Sequence, residues 1–252
     1  TALVVVAFFG ASTAFFAATT GLVQNDLKKV IAYSTCSQLG YMAFACGLSK
    51  YHVSFFHLAN HAFFKALLFL SAGCVIHAMA DEQEMRRMGG LLSSLPFTYA
   101  MMLLGSLALM GTPFLSGFYS KDAILEYAAV HYMVTGSFTL WLGVLAAFCT
   151  SFYSFRLAYM TFLNNTNAFR QSVEHIHDAA PIVLFALCPL ALGSIWSGYF
   201  GSDMLLGVGT PFWGNAIFFG WDTSLTLEPH FLSLSTKFLP LILTLLGGLL
   251  AF

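Results

Sequence analysis

The sequence predicts an all-α polytopic membrane protein of about seven transmembrane helices, one of them discontinuous. Apolar residues make up 58% of the 252 positions and charged residues only 8%, against about 25% charged in an ordinary soluble domain. The apolar residues fall in runs of roughly 20, the length of a membrane-spanning helix, separated by short polar corners. The run 95–132 is too long for one straight crossing at about 1.5 Å per residue. It is interrupted halfway by Gly111-Thr112-Pro113-Phe114-Leu115-Ser116-Gly117. This composition excludes both a water-soluble globule and a disordered chain, and a formal net charge of −1 offers no basic field for nucleic acid.

In chain order the expected spans are 3–22, 29–48, 53–77, 95–132, 139–163, 181–200 and 231–252. The first is uncharged and rich in Ala, Gly and Thr, small residues that let membrane helices approach closely. Gln24-Asn25-Asp26-Leu27-Lys28-Lys29 makes a polar corner. The second span carries Tyr33, Ser34, Thr35, Ser37 and Gln38. That is more hydroxyl and amide than a lipid-facing helix would hold, so it predicts an interior face. Ser49-Lys50-Tyr51-His52 turns the chain into the third span, which ends at Asp81-Glu82-Gln83-Glu84-Met85-Arg86-Arg87. The fourth is expected to be one broken helix at membrane depth, since proline removes a backbone donor and paired glycines loosen the turn. The alternative is two helices joined by a surface turn, the first of them short for a full crossing.

With one interrupted crossing, the corners near 24–29, 78–94 and 164–180 share a side. That side carries Lys28, Lys29, Arg86, Arg87 and Arg170, with Arg156 in the turns leading to it. The opposite side has Lys50 and Lys237. The positive-inside rule then assigns the first group to the negative compartment, cytoplasm or matrix. The segment 201–230, with Phe212, Trp213 and Trp221, reads as an interfacial loop with aromatic anchors. Cys36, Cys46, Cys74, Cys149 and Cys188 lie in apolar runs without a C-x-x-C pair. They are expected to be buried free thiols, not a disulfide frame or zinc cluster.

The chemistry concentrates in the third span. His57, His61 and Lys65 stand at i, i+4 and i+8, so they project from one face. Lys65 falls near mid-span, where an ionisable residue costs roughly 2.5–3.5 kcal/mol even on the lenient insertion scale. Desolvation penalises a permanently held charge there, so Lys65 is expected to exchange protons, with the histidines as relay groups. About 6 Å of rise per four residues calls for bridging water between them. The alternative is static: Lys65 paired with a carboxylate on a neighbouring helix. A metal at His57 and His61 is disfavoured, because no Glu follows the first His and no Cys or carboxylate lies one turn away. Glu174-His175-Ile176-His177-Asp178 is expected to be a solvated loop. After the break come Ser120-Lys121-Asp122 and, one turn on, Glu126. Lys121 beside an interrupted helix predicts an intramembrane site, with Asp122 and Glu126 in support. Lys28 and Ser37 are further supporting candidates. No nucleotide-binding glycine loop, Cys-ligated cluster or nucleophile motif is visible, so no cofactor, metal or redox centre is expected in this chain.

The stretch from Val23 through Asp26-Leu27-Lys28-Lys29 to Met42, the stretch 57–70, Met88-Gly89-Gly90-Leu91 and Gly117-Phe118-Tyr119-Ser120-Lys121-Asp122 together resemble the NADH dehydrogenase subunit 5 family. These are the distal antiporter-like subunits of the membrane arm of respiratory complex I, similar also to cation/proton antiporter subunits. The resemblance is strong over 3–163 and looser beyond. It implies two inverted five-helix repeats, each with a broken helix forming half of a proton path. This chain resembles the second repeat (1–163) plus two further helices (164–252), a C-terminal portion. By the resemblance Lys65 is a central-axis lysine, His57 and His61 its hydrated relay, and Lys121 the broken-helix residue nearest the exit. The first repeat and the long lateral helix have no counterpart here, so a split gene or a partial subunit is expected, with another polypeptide carrying the N-terminal half.

The implied function is proton translocation in the membrane arm of NADH:ubiquinone oxidoreductase, coupled to quinone reduction in other subunits. Implied partners are other membrane-arm subunits and lipid. The expected location is the mitochondrial inner membrane, with plastid thylakoid or bacterial plasma membrane as alternatives. The rival functions are a sodium/proton antiporter subunit and a mainly structural membrane subunit.

Overall fold

The computed structural model describes residues 1–131, 134–167, 176–206, 212–214, 216–217 and 232–251. Arg170, Glu174, His175 and Trp221, and most of the segment 201–230, lie outside the described residues. The described helices are α1 (Ala2–Val23), α2 (Leu27–Gly47), α3 (Tyr51–Ala78), α4 (Pro96–Met110), α5 (Ser116–Val130), α6 (Val134–Ala158), α7 (Pro181–Leu206) and α8 (Leu234–Leu249). A π-helical turn, Tyr159–Leu163, extends α6. Among the described residues, four helical stretches are long and apolar enough to cross a membrane: α1, α3, α6 with its π turn, and α7. The sixth expected span, seen as α7, continues six residues past its expected end at 200, so residues 201–206 are helix where a loop was expected.

Small residues set the α1–α2 contact. A Cβ on Gly40 would stand 2.5 Å from the Ala14 nitrogen, and one on Gly47 would stand 2.4 Å from that of Ala7. The two backbones therefore touch, as close membrane packing requires. Asp26 caps α2, its carboxylate accepting the Lys28 amide at 3.1 Å. Cys74 and Cys149 are buried, but Cys36 and Cys188 lie on the outer face and Cys46 is half-buried, all free thiols. This corrects the expectation of five buried thiols: a thiol is a small apolar group, and an apolar outer face accommodates it as well as a core does.

The long fourth run is two helices of 15 residues each, about 22 Å apiece and short of a bilayer core of about 30 Å. Gly111 ends α4 in the left-handed region, and Phe114 follows at φ 72°. The α5 start lies directly on the α4 end, since a Cβ on Gly117 would sit 1.8 Å from the Ala108 carbonyl oxygen. Both halves pack more extensively on α3 than on each other. An antiparallel hairpin would be zipped along its length, so this is one interrupted span.

The polar corners gather on one side. The Leu27 amide donates to the Gln83 carbonyl at 3.0 Å, the Met85 amide to that of Asn25 at 2.9 Å and the Asn167 amide to that of Met88 at 3.3 Å. Arg156, from the last turns of α6, donates to the carbonyls of Leu22 and Gln24 and to the Asn25 side chain. Asp178, expected in a solvated loop, instead accepts from the Phe97 amide at 3.0 Å and the Thr98 hydroxyl at 2.5 Å. It satisfies the free donors at the start of α4.

Candidate functional site

The stripe of α3 faces α2 and the start of α5. Tyr51–Ala78 is 28 residues long, about 42 Å of helix, and Lys65 lies at its middle. His57, Asn60, His61 and Lys65 are all buried, and so is Lys121. A buried cation needs partners, and the protein supplies neutral ones. The Lys65 Nζ donates to the Ile31 carbonyl at 3.0 Å and is also bonded to the Ser34 hydroxyl. An ammonium donates to both groups; a neutral amine donates to the carbonyl and accepts from the hydroxyl. The pocket thus serves either protonation state. The ion pairs of Lys29 with Asp26 and of Arg86 and Arg87 with Glu82 and Glu84 lie instead in the corners.

His57 is held from two helices. Its Nε2 lies 3.1 Å from the Gln38 Oε1 of α2, and its Nδ1 lies 2.9 Å from the Ser120 hydroxyl of α5. The Gln38 oxygen can only accept. It therefore places the proton of a neutral imidazole on Nε2 and leaves Nδ1 to accept from Ser120. When His57 is doubly protonated, the Ser120 oxygen can accept a hydrogen bond from Nδ1–H while its own hydrogen turns toward the Ser116 carbonyl, 3.3 Å away. Both states of the ring are again satisfied by rotation of one hydroxyl.

The rings of His57 and His61 are 6.1 Å apart between centroids. No direct bond joins them, and the His61 Nε2, the Gln38 Nε2 and the Ser116 hydroxyl are buried without a protein partner among the described residues. Buried polar atoms pair with protein or with water, so these atoms suit water-mediated links. Next to Ser120, the Lys121 Nζ lies 3.5 Å from the Met110 carbonyl at the break and 5.5 Å from the centre of the Tyr41 ring. A carbonyl exposed by the interruption and an aromatic face are both suited to a cation.

The fold therefore brings Lys65, His61, His57 and Lys121 onto one buried line across α3 and α5, lined by α2. Asp122 and Glu126 are half-buried further along α5. Lys28 is exposed at the corner, away from this line. Ser37 points to the other face of α2, where its hydroxyl donates to the Ala14 carbonyl at 2.8 Å and ties α2 to α1. From sequence, Gln38 and Ser34 stand out only as polar groups in an apolar run and Ser120 only as the neighbour of Lys121, while Asn60 and Tyr41 carry no assigned role. An amide at mid-span, such as Gln38 or Asn60, is itself a signal, because hydrocarbon offers it no partner.

Comparison with known proteins identifies the family of the chain. The family model described as NADH:quinone oxidoreductase/Mrp antiporter, TM, matches residues 1–154. The chain is 58% identical over 252 residues to NADH-ubiquinone oxidoreductase chain 5 of Marchantia polymorpha, covering 100% of this chain and 38% of that one. It is 56% identical over 253 residues to the chain 5 of Arabidopsis thaliana, with the same coverages. Among solved structures, the membrane-bound sulfane sulfur reductase (MBS), an archaeal respiratory membrane complex, aligns with a TM-score of 0.70 at 25% identity. That match covers 82% of this chain and 34% of its counterpart. The chain thus spans 38% of the length of these curated relatives. With α1 to α5, the interrupted span and the buried lysine–histidine line inside the matched residues, the chain belongs to the NADH:quinone oxidoreductase/Mrp antiporter family of transmembrane proteins.

Proposed function

We propose that the chain is part of a proton-translocating subunit of the membrane arm of NADH:ubiquinone oxidoreductase, in the mitochondrial inner membrane, with quinone reduction carried out by other subunits. The observation that carries the reading is the placement of His57, bonded to Gln38 on one side and to Ser120, next to Lys121, on the other. Protons would pass between Lys65 and Lys121 through His61, His57 and intervening water. The relatives, named as chains of that oxidoreductase, support the assembly. The region 1–163 is the unit that would form half of the path, and 164–252 adds helices around it.

The test places the substitutions in the complete complex in sealed membranes. Lys65→Ala with Lys121→Ala is expected to leave assembly intact and to remove proton translocation along this path, since a positioned acid–base group contributes about 10²–10⁴-fold to proton transfer. Normal assembly with full pumping by the double variant would overturn the proposal.

A further inference from the structure

Asn60 lies on the α3 stripe between the two histidines and is 1% exposed. Its Nδ2 donates to the Ser116 carbonyl, at the first residue of α5, over 3.4 Å. Its Oδ1 accepts from the Ser197 hydroxyl of α7 at 2.8 Å. The next residue of α7, Gly198, lies so close to the break that a Cβ there would stand 2.4 Å from the Ser116 Cα. A helix beyond the residues matched by the family model is thus pressed onto the interruption and holds Asn60 in place.

The Ser116 carbonyl is contested. A carbonyl has two lone pairs, and in the helical register the Ser120 amide takes one. The Asn60 amide and the Ser120 hydroxyl, at 3.4 and 3.3 Å, remain as donors for the other. The same Ser120 hydroxyl is the partner of the His57 Nδ1 at 2.9 Å. Occupation of the Ser116 carbonyl by Asn60 leaves the Ser120 proton a choice between the imidazole at 2.9 Å and the more distant Gly117 carbonyl at 3.5 Å, which favours the imidazole; release of Asn60 lets it fold back along its own helix.

We propose that Asn60, fastened by Ser197, is a positioning residue that sets which way the Ser120 hydroxyl points and so controls the link between His57 and the Lys121 end of the path. This inference rests on the proton-path reading. It gives α7 a task in the relay: pressure on the break at Gly198 and the grip of Ser197 on Asn60 both act on one carbonyl.

The test uses the complete complex in sealed membranes, with proton uptake per NADH oxidised as the readout. Asn60→Ala and Ser120→Ala, each alone, are expected to lower uptake about fivefold, the effect of one hydrogen bond of ordinary net strength. In the double variant the second substitution is expected to add nothing, because both act through one hydroxyl. Ser197→Ala is expected to lower uptake in the same direction and Ser197→Thr to restore it, which gives a second reading should Asn60→Ala fail to assemble. Effects that multiply in the double variant, or full pumping with both Asn60→Ala and Ser197→Ala, overturn the inference. If the Lys65, Lys121 double variant pumps normally, the proton-path reading itself falls; if that variant fails to pump while Asn60→Ala pumps fully, only the role of Asn60 falls.

Discussion

At Lys65 the basic group is kept at the middle of a 28-residue helix, bonded to a carbonyl and a hydroxyl, with no carboxylate against it among the described residues. A static ion pair would hold the charge in one state, whereas a carbonyl and a hydroxyl accommodate a proton and its loss alike. The stripe itself was legible from sequence, because i, i+4 and i+8 place three side chains on one face whatever the surroundings. Its partners were not, since nothing in α3 specifies that Gln38 and Ser120 arrive at His57. A different residue-scale effect acts at the corner. The Glu84 amide, first, and then Arg87 hold the Glu82 carboxyl below its usual range. With the folded value depressed, the contribution of Glu82 is present above the unfolded value and is lost as pH falls through the folded one. Amide exchange at Gln83 and Glu84, corrected for intrinsic rates, is therefore expected to accelerate below the ordinary glutamate range. Glu82→Gln is expected to abolish that acid-dependent step; an unchanged profile in the variant would assign it elsewhere.

Among the elements, α1 and α2 show how a membrane pair holds together without charge. Their contact is backbone on backbone at Gly40 and Gly47, and it is reinforced where Ser37 reaches the Ala14 carbonyl. Gly40→Leu is expected to force the pair apart and to destabilise the subunit by about 1–3 kcal/mol, the usual cost of overpacking. Thermal unfolding in detergent measures it, and Leu39→Ala, on the exposed neighbour, serves as the control that should change little. The abundance of Ala, Gly and Thr in the first span announced close packing, but not against which helix. The break at 111–117 was likewise readable from its glycines and proline. That the two halves overlap at Ala108 and Gly117 depends on α3 and α7 packing against both.

The whole bundle is asymmetric between its ends. The corners at 24–27, 82–88 and 164–167 are stitched into one layer, and Arg156 binds it to the end of α1, covering carbonyls that a helix C-terminus leaves free. Arg156→Met is expected to cost at least about 1.5–3 kcal/mol, the net worth of one hydrogen bond from a charged donor. Limited proteolysis of the 82–90 corner should then speed up, and cleavage at the wild-type rate would show that the layer stands without this side chain. The outer faces of α1 and α7 expose Phe8, Phe9, Phe16, Phe185 and Phe200, apolar surface suited to lipid or neighbouring helices.

The sequence by itself determined the apolar spans, the interruption of the fourth, the lysine–histidine stripe and the crowding of basic residues at one set of corners. All of these are local, set by the period of a helix, the chemistry of proline and glycine and the cost of charge in hydrocarbon. Only the tertiary structure decided that the stripe meets Ser120 beside Lys121, that Ser37 and Lys28 stand apart from it, and that α7 reaches the break through Ser197 and Gly198. Those juxtapositions depend on the rotation and height of one helix against another, which close backbone contacts fix and no single span encodes.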